Sequence, residues 1–250
     1  MDTRYFKEPS RYLHRDLEFK VYGTAGRPCI AFPCEGGRFY DFEDCGMVAA
    51  AGELIEDGKL MLFCVDSIDR ESWNGGGPAR PRIEMQERWY NYICGEVVPR
   101  VQELSGLAPQ ERIFTAGCSL GALHAANFYL RRPDLFCGAI AMSGIYNANY
   151  FFDGYMDDLV YRNSPVDYMR NMPAGHPYIP RLARQGKLIL CAGQGAFEDI
   201  PLASTRELQG VLEDKGVNLW VDIWGSDVTH DWPWWRKQFP YFLRHMLSQP

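Results

Sequence analysis

The chain has 250 residues, of which 46% are hydrophobic and 23% charged, with a formal net charge of −6. That length suits one α/β domain spanning residues 1–250, and the composition excludes a disordered or fibrous architecture. Acids and bases are interspersed without a basic stripe, so nucleic acid is not an expected partner.

Met1 to Ser10 is polar and lacks the apolar centre of a secretory signal, which points to a cytoplasmic protein. No run approaches the roughly 18 apolar residues that a bilayer span requires, so no membrane partner is expected. Self-association as a homo-oligomer is left open. The eight cysteines form no C-x-x-C pair. Cys29, Cys64, Cys137 and Cys191 fall inside predicted strands, where a free thiol serves as a small buried hydrophobe.

In chain order, strands are predicted at Leu17 to Tyr22, Cys29 to Phe32, Leu60 to Val65, Ile113 to Ala116, Cys137 to Met142, Leu188 to Ala192 and Val217 to Trp224. Most are continuous apolar runs, the texture of parallel strands covered on both faces. Leu17 to Tyr22 alternates, as an antiparallel edge strand would. Helices are predicted at Asp44 to Asp57, Glu84 to Leu104, Leu120 to Arg131, Thr205 to Lys215 and Trp234 to Leu247. In the second of these, apolar residues recur at steps of three and four, so one stripe faces a sheet. Gly58 and Gly216 stand where left-handed caps end the first and the fourth. Strands alternating with helices imply a doubly wound, mostly parallel sheet with helices on both faces. The glycine- and proline-rich loop Ser72 to Pro81 and a long aromatic insertion, Tyr146 to Gly186, interrupt the rhythm. Each begins at the carboxyl end of a strand, where open α/β sheets bind ligands.

Chemistry concentrates at Gly117-Cys118-Ser119-Leu120-Gly121, a G-x-S-x-G sequence between a predicted strand and a predicted helix. The turn would present Ser119 at the helix N-terminus; the competing interpretation is an ordinary strand-to-helix turn with a serine cap. A serine hydroxyl needs a base to remove its proton. Of the five histidines, His230 lies in the loop between the last strand and the last helix, whereas His14 precedes the sheet, His124 is inside the helix after Ser119, His176 is in the insertion and His245 is in the last helix. An acid should come between serine and histidine, and Glu198 and Asp199 both follow the strand Leu188 to Ala192. Glu198 is favoured, although the sequence does not decide which side chain turns inward. Donors for an oxyanion are expected from the Leu120 amide and from Gly37 or Arg38, in a glycine-containing turn. Trp73, Tyr146 and Trp232 are candidate substrate-binding residues. They belong to an aromatic set that also includes Tyr150, Phe151, Phe152, Trp234 and Trp235, although aromatic bulk more often fills a core.

Gly193-Gln194-Gly195 lacks the third glycine of a dinucleotide site, and Gly75-Gly76-Gly77 is not followed by the lysine of a phosphate-binding loop. With these residues in place, the chain resembles the esterase D branch of the α/β hydrolases, which includes S-formylglutathione hydrolases, feruloyl esterases, enterochelin esterases and mycolyltransferases. The resemblance runs from about Cys29 to Leu247. It rests on the G-x-S-x-G sequence, on Arg132-Pro133-Asp134-Leu135-Phe136 with Met142-Ser143-Gly144, on the Gly-x-Gly-x-x-Glu stretch ending at Glu198, and on His230-Asp231-Trp232. It implies an α/β-hydrolase fold, a small-molecule carboxylic ester or thioester substrate, an acyl-enzyme on Ser119 and no metal or organic cofactor. Cys118 stands at the wrong position to attack. An acyltransferase using the same residues, and a binding protein that has lost the chemistry, are the alternatives.

Overall fold

The computed structural model describes residues 1–185 and 187–248, so the final residue of the expected insertion, Gly186, and the chain end, Gln249 and Pro250, lie outside the described residues. Eight strands form one sheet: β1 (Thr3–Ser10), β2 (Arg15–Tyr22), β3 (Arg27–Phe32), β4 (Leu60–Val65), β5 (Ile113–Cys118), β6 (Phe136–Met142), β7 (Lys187–Ala192) and β8 (Leu219–Ile223). Their order is β1-β2-β4-β3-β5-β6-β7-β8. β1 and β2 pair antiparallel, as do β2 and β4, and every other neighbouring pair is parallel.

Alternation along the central strands divides the core in two. Ile30, Phe32, Met61, Phe63, Ala139 and Leu190 face one side of the sheet. Cys29, Ala31, Leu62, Cys64, Ile140 and Cys191 face the other. All of these residues are buried, which is why the strands read as unbroken apolar runs. Cys29, Cys64, Cys137 and Cys191 are free and buried in their strands, as their apolar settings imply.

Three short helical turns, α1 (Asp41–Asp44), α2 (Met47–Ala50) and α3 (Gly52–Glu56), replace the single helix expected at Asp44 to Asp57. Gly46, at φ 77°, breaks the run between the first two, while Gly58, at φ 66°, ends it as the pattern implies. α4 (Ala79–Tyr92) continues through a π turn, Ile93–Val97, into α5 (Val98–Ser105). α6 (Leu120–Arg131) keeps the bounds read from the sequence. The insertion folds into a 3-10 turn, Ala148–Phe151, and into α7 (Asp158–Arg162), α8 (Pro165–Asn171) and α9 (Tyr178–Gln185). α10 (Asp199–Asp214) starts six residues before the helix expected there, and α11 (Trp232–Ser248) closes the described chain. Residues of α4 to α6 pack in the first core, with α10 also contributing; α1 to α3 and α11 pack in the second.

The Leu17 to Tyr22 expectation needs one correction. That strand is antiparallel, but β1 covers it and takes the edge. Only Ser10 of β1 is buried, so no apolar alternation marks it, and its charged residues suit an edge that must not recruit another strand.

α6, which carries the G-x-S-x-G turn at its start, is tied to the segment after β4 by a hydrogen-bonded side-chain pair inside the protein. His124 Nε2 lies 3.0 Å from Asp69 Oδ1, with both side chains buried and the rings of Phe32, Trp73 and Trp89 around the imidazole. His124→Ala would leave a buried carboxylate without its partner. The expected cost is about 3 kcal/mol of folding stability, measurable as a lowered midpoint in urea unfolding; an unchanged midpoint would show that the pair contributes nothing.

Candidate active site

Strand register fixes where the polar residues gather. Phe32 pairs with Gly117, Cys118 with Met142, Met142 with Cys191, and Ala192 with Ile223, so β3, β5, β6, β7 and β8 end at one edge of the sheet. Backbone bonds extend the ladder beyond the strands: the Ser119 amide donates to Met142 O at 2.9 Å and the Ser143 amide to Cys191 O at 2.7 Å. Ser119, Ser143 and the loop after Ala192 are thereby neighbours although they lie far apart in sequence.

Ser119 has φ 56° and ψ −124°, a conformation that costs a non-glycine residue of order 1–3 kcal/mol. The glycines on either side make this turn feasible. A Cβ on Gly117 would come within 2.2 Å of Gly121 O, and one on Gly121 within 2.5 Å of both Phe32 O and Pro33 O. Strand, helix and the end of β3 therefore approach more closely than any side chain permits.

Ser119 Oγ lies 2.9 Å from His230 Nε2. On the far side of the imidazole, His230 Nδ1 lies 3.3 Å from Glu198 Oε1. At that separation the two groups face each other, but the geometry falls short of an aligned hydrogen bond, and Nδ1 has no other partner among the described residues. Such contacts commonly tighten when a ligand excludes water. Glu198 is fully buried. Its carboxylate accepts from the Ser143 hydroxyl at 2.6 Å and from the Gly193 amide at 3.2 Å. Trp235 donates its indole N–H to Ser143 Oγ at 3.2 Å and meets the His230 ring edge to face, with centroids 4.9 Å apart. The His230 backbone amide is held by Ala196 O at 3.0 Å. Asp199, the other candidate acid, is exposed at the start of α10.

A cavity of about 520 Å³ opens over Ser119 and His230. Its apolar lining comprises Leu120, Ile145, Tyr150, Phe151, Phe197, Ile200 and Pro201, and its remaining residues are Glu35 and Asp199. Tyr150 and Phe151 belong to the aromatic set noted in the sequence. The three residues singled out from that set are not among those lining the cavity. Trp73 is buried against Phe151, Phe152 and His124. Tyr146 is wholly buried, with its ring over Gly144 and its amide donating to Ser204 Oγ at 2.7 Å. Trp232 packs on Trp235 and Phe42. All three fill packing space, so the structure does not support their assignment to substrate.

Leu120 occupies the first position of α6, where an amide has no partner within the helix. The turn after β3 is arranged differently from expectation. The Gly37 amide already donates to Cys34 O at 2.9 Å and the Arg38 amide to the Asp41 carboxylate, while the Arg38 guanidinium turns to Asp66 and Glu18 and lines a separate polar groove. Glu35 is the residue of that turn that reaches the cavity at Ser119. Burial, and then a hydrogen bond with Cys34, push the Cys118 thiol well above its ordinary value, so it stays protonated beside the turn.

Ser143 was within reach of sequence reasoning, since Met142-Ser143-Gly144 ends a strand next to β5. Its contact with Glu198 was not. Ser143→Ala removes a charge-assisted hydrogen bond from a buried carboxylate, worth about 1.5–3 kcal/mol. If Glu198 supports the chemistry, kcat should fall at least tenfold with the fold intact by circular dichroism; unchanged turnover would separate Ser143 from the reaction.

The family model described as "Putative esterase" matches residues 40–246. No curated protein matches the chain in sequence. Among solved structures, a ferulic acid esterase superposes with a TM-score of 0.75 at 16% identity, covering 97% of this chain and 98% of its own. An S-formylglutathione hydrolase from Staphylococcus aureus gives 0.73 at 16% identity, with 99% and 97% covered. The fluorophosphonate-binding serine hydrolase F of the same organism gives 0.67 at 14% identity, with 99% of each covered. At such identities these likenesses establish the α/β-hydrolase fold, while the match over most of the chain establishes the family. The chain belongs to the esterase family that this model describes, and it is an ester-hydrolysing enzyme.

Proposed function

We propose that the enzyme hydrolyses carboxylic esters of small or aromatic acyl groups through an acyl-enzyme on Ser119, with His230 as general base and Glu198 as the acid that orients it. The 2.9 Å contact between Ser119 Oγ and His230 Nε2 carries this reading. Nε2 accepts the serine proton as Oγ bonds to the substrate carbonyl carbon. The resulting imidazolium is stabilised by the Glu198 carboxylate, which is itself held by Ser143 and Gly193. The carbonyl oxygen, now negative, is met by the Leu120 amide at the start of α6. As the carbon–oxygen bond to the alcohol breaks, His230 returns its proton to the leaving oxygen. Water, deprotonated by His230, then attacks the acyl carbon; the carbon–Oγ bond breaks, the acid departs, and the imidazolium returns the proton to Ser119 Oγ.

Among the described residues, no helix is long and apolar enough to cross a membrane. Eight free thiols support assignment to the reducing cytoplasm.

Ser119→Ala should lower hydrolysis of 4-nitrophenyl acetate by on the order of 10⁴-fold or more and abolish labelling by a fluorophosphonate. Retention of most activity would end the proposal. Glu198→Gln should reduce kcat by about 10³-fold or more, far beyond the effect of Asp199→Asn; the reverse order would transfer the acid role to Asp199.

A further inference from the structure

Phe197 is the most exposed large apolar side chain of the described chain, at 85%, and it has φ 64°. Either property alone is unfavourable for phenylalanine. The left-handed region strains a residue with a bulky side chain, and the open ring remains in water with no packing in return. Glycine would make the same turn without strain, and the loop uses glycine where the backbone needs it: Gly193 and Gly195 both lie against Val228 O. An aromatic ring held in this way gains its contacts from something other than the chain itself.

Its position indicates what that is. Phe197 lines the cavity above Ser119, and the carbonyl of the preceding residue, Ala196, accepts the His230 backbone amide. Phe197 is therefore on the imidazole side. The imidazole hands its proton to the leaving oxygen, so the departing half of the ester lies on that side. Ile200, half exposed, follows on the same loop and first turn of α10, with Pro201. The charge around the cavity has one sign. Asp199 and Glu35 line the cavity, and none of the lining residues is lysine or arginine.

We propose that Phe197 is a specificity-determining residue that lies against the leaving alcohol or thiol of the ester, and that the site prefers leaving groups that are apolar and carry no negative charge. This rests on Ser119 and His230 acting as proposed above. It sets the enzyme apart from hydrolysis of thioesters of glutathione, a peptide thiol with two carboxylates. Two exposed carboxylates repel such a group weakly but in the same direction, and Phe197 offers it no ion pair.

The experiment holds the acyl group constant as acetyl and varies the leaving group: ethyl acetate, 2-naphthyl acetate, 4-acetoxybenzoate and S-acetylglutathione. Phe197→Asn keeps a residue that tolerates φ above zero but removes the ring, so its fold should survive and thermal unfolding should move little. In that variant, kcat/KM for 2-naphthyl acetate relative to ethyl acetate should fall roughly five- to tenfold, mainly through KM, and Phe197→Tyr should restore it. Asp199→Asn should raise the rate on 4-acetoxybenzoate relative to 2-naphthyl acetate by about threefold. An unchanged naphthyl-to-ethyl ratio in Phe197→Asn, or wild-type preference for S-acetylglutathione over the neutral esters, would overturn the assignment. Absence of hydrolysis of every ester, with no fluorophosphonate labelling of Ser119, would instead remove the reading of Ser119 on which it rests.

Discussion

A carboxylate without access to water is the constraint around which this site is built. Glu198 is fully buried, and burying an ionised carboxylate costs several kcal/mol unless donors and a counter-charge replace its hydration. Two donors are supplied by Ser143 and Gly193, and both are neutral. The group beside it that can carry positive charge is the His230 imidazole, 3.3 Å away. The carboxylate is therefore partly satisfied at rest and gains most when the imidazole takes up a proton. In the proposed mechanism that moment is the attack by Ser119, so the cost of burial in the resting protein becomes stabilisation of the charged intermediate.

Meeting this constraint requires contributions from four strand ends. Ser119 follows β5, Ser143 follows β6, Gly193 follows β7, and His230 lies in the loop beyond β8. Parallel register places the first three in adjacent rows, and the close contact of Gly121 with Phe32 and Pro33 seats the serine turn against β3. The buried pair His124 and Asp69 then ties the helix after that turn to the segment after β4. The hydrolase geometry is thus a consequence of sheet register with two glycine contacts. Loop residues only have to complete it.

The features legible in the sequence were those encoded locally. The turn at Ser119 is announced by a strand, two glycines and a helix within twenty residues, and the helix bounds follow from the same stretch. His230 is picked out by its place between the last strand and the last helix. The choice of Glu198 over Asp199 had no such support, because facing in an irregular loop depends on what the backbone meets; here Gly193 and Gly195 pressed against Val228 O set the turn. The cavity was the least legible. Trp73 and Tyr146 occupy loops that look solvent-facing in sequence, yet both lie in the core beneath the site. Phe197 drew no notice because its strain and exposure arise only once the loop is folded. β1 escaped for a related reason: an edge strand buries almost nothing and leaves no apolar pattern.

Backbone strain links these observations. The described chain has five non-glycine residues with positive φ, and three of them, Ser119, Ser143 and Phe197, surround the same few ångströms of chemistry. At about 1–3 kcal/mol each, their summed cost is a substantial part of the 5–15 kcal/mol by which domains are usually stable. Ser119 and Ser143 are over-determined by the ladder bonds to Met142 and Cys191 and by contacts on their side chains. Phe197 has no comparable restraint on its ring. A strained residue locked by its surroundings preserves a geometry, whereas one left open can respond to whatever binds. The two serines fit the fixed part of the site on this argument, and Phe197 fits the part that recognises the substrate.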